Sequence, residues 1–216
     1  MLATKVLASG VTHLTDARYF AAWEVAYLAF PVGEGPGERI SWDYVAALRE
    51  WVEGPAIVAE LPPAADPALW LPLLGAHSFT TALLPSPLAP AAAPLLAAGL
   101  EVIARVPVEG YQSAEDVAER LTALPEGALA LLDFAAGGIT YNDLAAGYPF
   151  GTDALESLLR ERDCLLEMAV PADVVKTFVE TSAVHGLAVR GSSEEKVGYK
   201  SFDDLDDLFE ALEIFV

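Results

Sequence analysis

Eight short apolar runs recur along the chain, and each is continuously apolar rather than alternating between apolar and polar residues. Continuous runs of this length are typical of parallel strands that are covered on both faces. Longer amphipathic segments separate the runs. The eight predicted strands are Lys5–Ala8, Ala26–Phe30, Ala56–Glu60, Thr80–Leu84, Glu101–Val106, Leu129–Asp133, Cys164–Glu167 and Gly186–Val189.

Helix-start signals open the segments between the runs. They lie at Thr15-Asp16, at Ser41, at Ser113, at Ala172-Asp173 after Pro171, and near the acidic stretch "SFDDLDDL". The 216 residues leave about 27 residues for each of eight strand–helix units, close to the minimum for such a unit. An open doubly wound sheet also alternates, but it rarely needs eight strands in so short a chain. We therefore predict an α/β fold, a single (β/α)8 TIM barrel forming one domain over residues 1–216.

Charge and composition exclude several classes of function. A net charge of -20 repels the phosphate backbone, so nucleic-acid binding is not expected. The acidic surface is explained either by adaptation to high salt or by docking of a basic partner. A single cysteine predicts no disulfide, and three histidines without ligand-like spacing predict no metal site. No Walker motif and no GxGxxG motif follows a predicted strand, so no cofactor is expected. No apolar stretch is long enough to span a membrane and no signal peptide is apparent, so a cytoplasmic protein is expected.

Polar residues end the predicted strands. Two long loops, Pro31–Glu38 and Ala135–Thr152, leave strands two and six. In a barrel such loops lie at the C-terminal ends of the strands, where barrel enzymes carry their active sites. The residues expected to share this mouth are Ser9, Glu60, Arg105, Asp133, Glu167 and Arg190. They indicate a polar pocket, with solvated strand ends or internal ion pairs as the alternative reading.

Three segments carry the motif order of a known family. In "LASGVTHLTDA", Ser9 takes the cysteine position of a K-x-C-G-[IL]-T pattern. In "LLDFAAGGITYND", Asp133 ends a strand before a glycine-rich loop, with Ile139 where the pattern has lysine. The stretch "GLAVRGSSEEKVGYKS" matches a G-V-D-V-S-S-G-V-E pattern followed by P-G-x-K-D. The chain therefore resembles phosphoribosylanthranilate isomerase from end to end.

The resemblance implies a cofactor-independent Amadori rearrangement. An aspartic acid protonates the ribose ring oxygen, and a cysteine then removes the proton from C2. By position Asp133 would be the acid, and Ser9 stands where the base belongs. A thiol with a pKa of about 8.5 supplies thiolate at neutral pH, whereas a serine hydroxyl needs a partner base. Losing a positioned base costs roughly 10²–10⁴-fold in rate.

The phosphate-binding turns implied by the resemblance are also altered. The family holds a ribose phosphate with an A-G-G-L turn after strand seven and an S-S-G turn after strand eight. Here Glu167 and Met168 replace the two glycines of the first turn. Arg190, Gly191 and Ser192 form the second turn and are the candidate phosphate ligands. Because Arg190 can bind an anion or neutralise Glu167, we predict a Glu167–Arg190 ion pair when no phosphate is present.

Three functional hypotheses remain open. The first is a non-isomerising barrel, a pseudoenzyme that binds a phosphorylated small molecule or a partner and exists as a monomer or homodimer. The alternative is an active phosphoribosylanthranilate isomerase of tryptophan biosynthesis, with Asp133 essential and Arg190 holding the phosphate. A different enzyme on the same scaffold is the third, because barrels host many chemistries.

Overall fold

The computed structural model describes residues 1–63, 67–86, 92–191, 194–196, 199–200 and 202–214. Eight parallel strands pair in sequential order and close into a barrel. Every predicted strand is confirmed to within one residue at each end, and so is the predicted (β/α)8 TIM barrel. The strands are β1 (Lys5–Ser9), β2 (Tyr27–Pro31), β3 (Ala56–Glu60), β4 (Thr81–Leu84), β5 (Glu101–Pro107), β6 (Leu129–Asp133), β7 (Cys164–Glu167) and β8 (Gly186–Arg190).

Helices follow the strands on the outside of the barrel. A short antiparallel pair, β9 (Glu194–Lys196) and β10 (Tyr199–Lys200), comes after β8 in the chain. The helices of the described residues are α1 (Leu14–Ala22), α2 (Trp42–Arg49), α3 (Pro67–Ala76), α4 (Ala92–Ala97), α5 (Ala114–Thr122), α6 (Tyr141–Ala145), α7 (Thr152–Glu161), α8 (Ala172–Thr181) and α9 (Asp203–Leu212).

Most of the predicted helix starts are confirmed. Ser41 and Ser113 are the N-cap residues of α2 and α5, and the side chain of each accepts a backbone N–H of the first turn. Helix α8 begins directly after Pro171. The start predicted at Thr15-Asp16 is wrong by one residue, because α1 begins at Leu14. Asp16 therefore lies inside the first turn, where a carboxylate interacts favourably with the positive end of the helix dipole.

The segment Ala135–Thr152, expected as a long loop, is partly helical. It contains a 3-10 turn at Ala135–Gly137 and the short helix α6. Thr140 and Asp143 form a capping box at the start of α6, in which each side chain accepts the other's backbone N–H. The hydroxyl and amide of Thr140 also lower the pKa of the Asp143 carboxyl. A Thr-x-x-Asp signal for this helix is present in the sequence.

The apolar core has two layers, one inside the barrel and one between the strands and the helices. This arrangement explains the continuous apolar runs, because both faces of each strand are buried. Among the described residues, no helix is long and apolar enough to cross a membrane. The inner layer is formed by Leu7, Tyr27, Ala29, Val58, Leu83, Ile103, Leu131, Leu165 and Ala188.

Candidate functional site

Five predicted site residues form one ion-paired group at the C-terminal mouth of the barrel. We call this group the mouth cluster. Its residues come from β3, β5, β6, β7 and β8, so closure of the barrel is what brings them together. The members of the mouth cluster are Glu60, Arg105, Asp133, Glu167 and Arg190.

Arg105 lies at the centre of the mouth cluster. Its Nη1 donates to Asp133 Oδ2 at 2.6 Å and to Glu167 Oε2 at 2.5 Å. Its Nη2 is 4.0 Å from Glu60 Oε1, which is too far for a hydrogen bond. This Nη2 is buried and has no hydrogen-bond partner among the described residues. Arg105 thus joins three carboxylates from three strands, and its side chain is only 10% exposed.

Burial and charge act on the pKa of Arg105 in opposite directions. Removal from water by itself would lower that pKa, because it disfavours the charged guanidinium. Attraction to Glu167, Asp133 and Glu60 raises it, and the net shift is upward. Arg105 is therefore a permanent cation in the mouth, and it cannot serve as a proton donor or acceptor.

Asp133, the candidate general acid, uses both carboxylate oxygens as acceptors. Oδ1 accepts the backbone N–H of Ala136 at 2.9 Å. Oδ2 accepts from Arg105 and from Nη2 of Arg190, the latter at 3.5 Å. Each of these contacts therefore uses an oxygen of Asp133 as an acceptor. The side chain is also almost fully buried, so the contacts that hold Asp133 leave little of it accessible.

The predicted ion pair between Glu167 and Arg190 is confirmed. Nε of Arg190 donates to Oε1 of Glu167 across the neighbouring strands β7 and β8. Glu167 Oε2 accepts from Arg105, so both oxygens of Glu167 are engaged by guanidinium groups. The Glu167 side chain is 4% exposed and that of Arg190 is 59% exposed. The carboxylate of the pair is therefore buried, and the guanidinium side chain is largely in contact with solvent.

Two further predicted site residues, Ser9 and Gly191, contact main-chain atoms. Ser9 is buried at the end of β1, and its hydroxyl donates to the carbonyl oxygen of Val189 at 3.3 Å. Among the described residues, no imidazole or carboxylate is hydrogen-bonded to this hydroxyl. The amide of Gly191 donates to the carbonyl oxygen of Ser9 at 2.8 Å, which engages an N–H expected to contact phosphate. Ser192 lies outside the described residues.

Within the described part of the chain, one cavity lies at each end of the barrel. The larger, about 800 Å³, is at the N-terminal end beside Lys5, Glu101 and His185. The smaller, about 380 Å³, is at the mouth and borders Glu167 and Arg190. We place the candidate site at the mouth despite the difference in volume, because barrel enzymes use the C-terminal ends of their strands.

Solved structures resemble this chain over nearly its whole length, whereas no protein-family model and no curated protein matches it. Phosphoribosyl anthranilate isomerase from Thermus thermophilus is 23% identical with a TM-score of 0.71, and the match covers 97% of this chain and 98% of that one. The corresponding protein from Thermococcus kodakaraensis is 16% identical with a TM-score of 0.72, over 96% and 98% of the two chains. The chain has the phosphoribosylanthranilate isomerase fold. The fold implied by the sequence resemblance is therefore confirmed.

One solved phosphoribosylanthranilate isomerase is similar to this chain and carries a ligand. It is a complex with reduced 1-(o-carboxyphenylamino)-1-deoxyribulose 5-phosphate. That protein is 16% identical, with a TM-score of 0.69 and coverage of 97% of this chain and 98% of its own. At such identities the likeness shows the fold of this chain and no more.

The central position of Arg105 was missed by the sequence analysis. The residue was predicted at the mouth, but without partners. A usable signal was present, because Arg105 stands inside the otherwise apolar strand "EVIARVP". Arginine is almost never buried unless it is paired. An arginine inside an apolar barrel strand therefore indicates a paired acceptor, and carboxylates on neighbouring strands are candidates.

Proposed function

We propose that this chain is a divergent phosphoribosylanthranilate isomerase-type protein that binds a small molecule at its mouth without performing the isomerisation. The observation that carries this proposal is the Glu167–Arg190 ion pair. The family resemblance implies a substrate phosphate at the turns after β7 and β8. Here the protein's own carboxylate engages the guanidinium beside those turns, so the anion site is filled from within.

The residues at the acid and base positions support the same proposal. A general acid must hold a proton that it can give to the ring oxygen. Asp133 instead accepts hydrogen bonds at both oxygens, two of them from guanidinium groups. A general base must accept a proton, whereas the hydroxyl of Ser9 donates to a main-chain carbonyl. Neither group is arranged for the proton transfers of the rearrangement.

The phosphate position is disfavoured by charge and by backbone geometry. A phosphate beside Glu167 would bring two anions together, and one of them is nearly fully buried. The Gly191 amide, which could otherwise donate to phosphate, is engaged by Ser9. Close contact with phosphate at this turn would require both the ion pair and the Gly191 hydrogen bond to break.

The direct test is turnover of phosphoribosylanthranilate by the purified protein, followed as loss of the fluorescence of this substrate. We expect no loss beyond spontaneous decay at micromolar protein. The Thermus thermophilus protein, assayed in parallel, controls for substrate quality. Binding of reduced 1-(o-carboxyphenylamino)-1-deoxyribulose 5-phosphate is measured separately by isothermal titration calorimetry, and none is expected.

Turnover in the ordinary enzyme range of roughly 1–10³ per second would overturn the proposal. The alternative, an active isomerase, would then be the function. In that case Asp133→Asn should abolish turnover, because an amide cannot supply the proton. Arg190→Gln should in turn raise KM for the phosphorylated substrate.

A further inference from the structure

An apolar cavity of about 380 Å³ lies beside the mouth cluster, between the ends of β7 and β8 and helix α9. Ligand sites in proteins typically measure about 300–1,000 Å³ and are lined mainly by apolar side chains. This cavity fits that description, because its walls are mainly apolar side chains from the segment after β7, from β8 and from α9. The apolar residues that define it are Met168, Val170, Val189, Leu205 and Leu208.

The charged groups of this cavity are already paired with each other. Glu167 and Arg190 are the charged side chains among its described lining residues, and they form the ion pair. A ligand anion would face Glu167 and compete with it for Arg190. A ligand cation would lie against Arg190 and compete for Glu167. Since burying a charge without a free partner is costly, the charge pattern selects an uncharged ligand.

Arg190 retains one donor nitrogen for a neutral acceptor. Its Nε donates to Glu167 and its Nη2 to Asp133, whereas Nη1 has no hydrogen-bond partner within the described ranges. The side chain is 59% exposed, so this donor is reachable from solvent. A carbonyl or ether oxygen can accept from Nη1 without displacing Glu167.

We infer that this cavity binds an uncharged molecule with an apolar body and one hydrogen-bond-accepting oxygen. The inference rests on the proposed function and names the ligand class of the same mouth. It reverses the chemistry that the family resemblance implies for this position, which is recognition of a phosphate dianion.

The test uses two probes that share one apolar body and differ in charge. Methyl 1-naphthoate is uncharged and carries a carbonyl oxygen, whereas 1-naphthoate is an anion. Binding of each to the full chain is measured by isothermal titration calorimetry at constant salt. We expect the ester to bind at least about tenfold more tightly than the anion, a difference of about 1.4 kcal/mol.

Two matched variants locate the binding. Ala135 lines the cavity, and its neighbour Ala136 in the same 3-10 turn does not. Both are exposed, so a larger side chain can be added without disturbing the core. Ala135→Trp should fill the cavity and weaken ester binding by about tenfold or more, and Ala136→Trp should leave it unchanged. Thermal unfolding of each variant verifies that it is folded.

Each other outcome contradicts a specific statement. Equal ester binding in all three proteins would overturn the inference, because the probe would then bind elsewhere. Tighter binding of the anion would also overturn it, because the ion pair would then not select an uncharged ligand. If neither naphthyl probe nor the reduced phosphate ligand binds, the inferred ligand class is wrong while the absence of isomerisation stands. Tight binding of the phosphate ligand, with turnover, would overturn the proposed function itself.

Discussion

At the scale of single residues, the stability of the mouth depends on one buried guanidinium. Replacing Arg105 with Met would keep most of the side-chain volume and remove the charge that holds Asp133 and Glu167. Breaking a buried pair by removing one partner typically costs about 3–5 kcal/mol, because it leaves charge uncompensated. We expect a loss of this size in the free energy of unfolding of Arg105→Met, measured by urea denaturation.

An exposed ion pair provides the control for this prediction. Arg160 contacts Glu156 at 3.0 Å one helical turn away, and its side chain is 70% exposed. Exposed pairs of this kind contribute about 0.3–0.5 kcal/mol, so Arg160→Met should have a small effect. Equal losses in Arg105→Met and Arg160→Met would show that the mouth cluster contributes no more than a surface contact.

Alkaline pH should destabilise the protein through two buried acidic groups. Burial raises the pKa of the Cys164 thiol from 9.0 to about 12, an effect that Arg162 partly opposes. Burial and the hydrogen bond to Glu101 raise the pKa of Tyr27 from 10.0 to about 12. Because both folded-state values lie above the unfolded ones, their stabilisation is complete below about pH 9 and is lost as pH rises toward 12.

The measurement is urea denaturation at pH 8 and pH 10, where the Cys164 contribution should fall by about 1 kcal/mol. Cys164→Ala should be less stable than the parent at pH 8 because it creates a cavity, but its further loss at pH 10 should be smaller. A parent protein that is as stable at pH 10 as at pH 8 would contradict the argument.

What the sequence reveals at the residue scale is limited to local signals. The Glu167–Arg190 pair could be predicted because both residues end adjacent strands, and adjacency follows from strand order. The bonds from Arg105 to Asp133 and Glu167 could not, because the reach of a long side chain across two strands depends on the tilt and closure of the barrel. The hydrogen-bond partner of the Ser9 hydroxyl could not be predicted either, because it depends on how β1 packs against β8. From the sequence, either a ligand or the Val189 carbonyl could have been that partner.

At the scale of secondary structure, one side chain joins the end of α7 to α5 and to the segment between α5 and β6. Arg162 follows α7 and donates five hydrogen bonds to four carbonyl oxygens, those of Leu121, Leu124, Pro125 and Ala128. These carbonyls belong to the last turn of α5 and the connection to β6. The planar guanidinium satisfies several acceptors at once, which a lysine ammonium cannot match in geometry.

Arg162→Met should therefore loosen the α5–β6 connection. We expect a loss of about 2 kcal/mol or more, because hydrogen bonds to charged groups contribute about 1.5–3 kcal/mol each and several are removed together. Amide hydrogen exchange should accelerate in β6, and Arg162→Lys should recover only a small part. Lys176→Met on the exposed face of α8 is the control. Unchanged exchange in β6 would mean that the carbonyls find other donors.

Elements were predictable where the signal is local and repeated. The strands follow from apolar runs, and three of them, Ala56–Glu60, Leu129–Asp133 and Cys164–Glu167, have the predicted bounds. Helix α6 was missed because five residues are too few to show helical periodicity. Its capping box is the one sequence signal for this helix, and the glycines of the same segment indicate a loop instead.

At the scale of the whole molecule, surface charge should control stability. The chain has 32 acidic and 12 basic side chains, so self-repulsion opposes the compact state. Salt screens exposed charges, since the Debye length falls from about 10 Å at 0.1 M to about 3 Å at 1 M. The mouth cluster is largely buried and is screened much less. We therefore expect the free energy of unfolding in urea to rise with KCl concentration, mostly below about 1 M.

Charge-reduced variants separate screening from other effects of salt. Glu53→Gln and Glu180→Gln remove exposed carboxylates from opposite parts of the chain, and the double variant should be more stable than the parent at low salt. The difference should shrink at 1 M KCl, because screening has then already reduced the repulsion. A gain that continues unchanged up to 3 M KCl would instead indicate exclusion of salt from the protein surface. Stability that does not depend on salt would contradict self-repulsion, and the docking of a basic partner would then be the better explanation of the acidic surface.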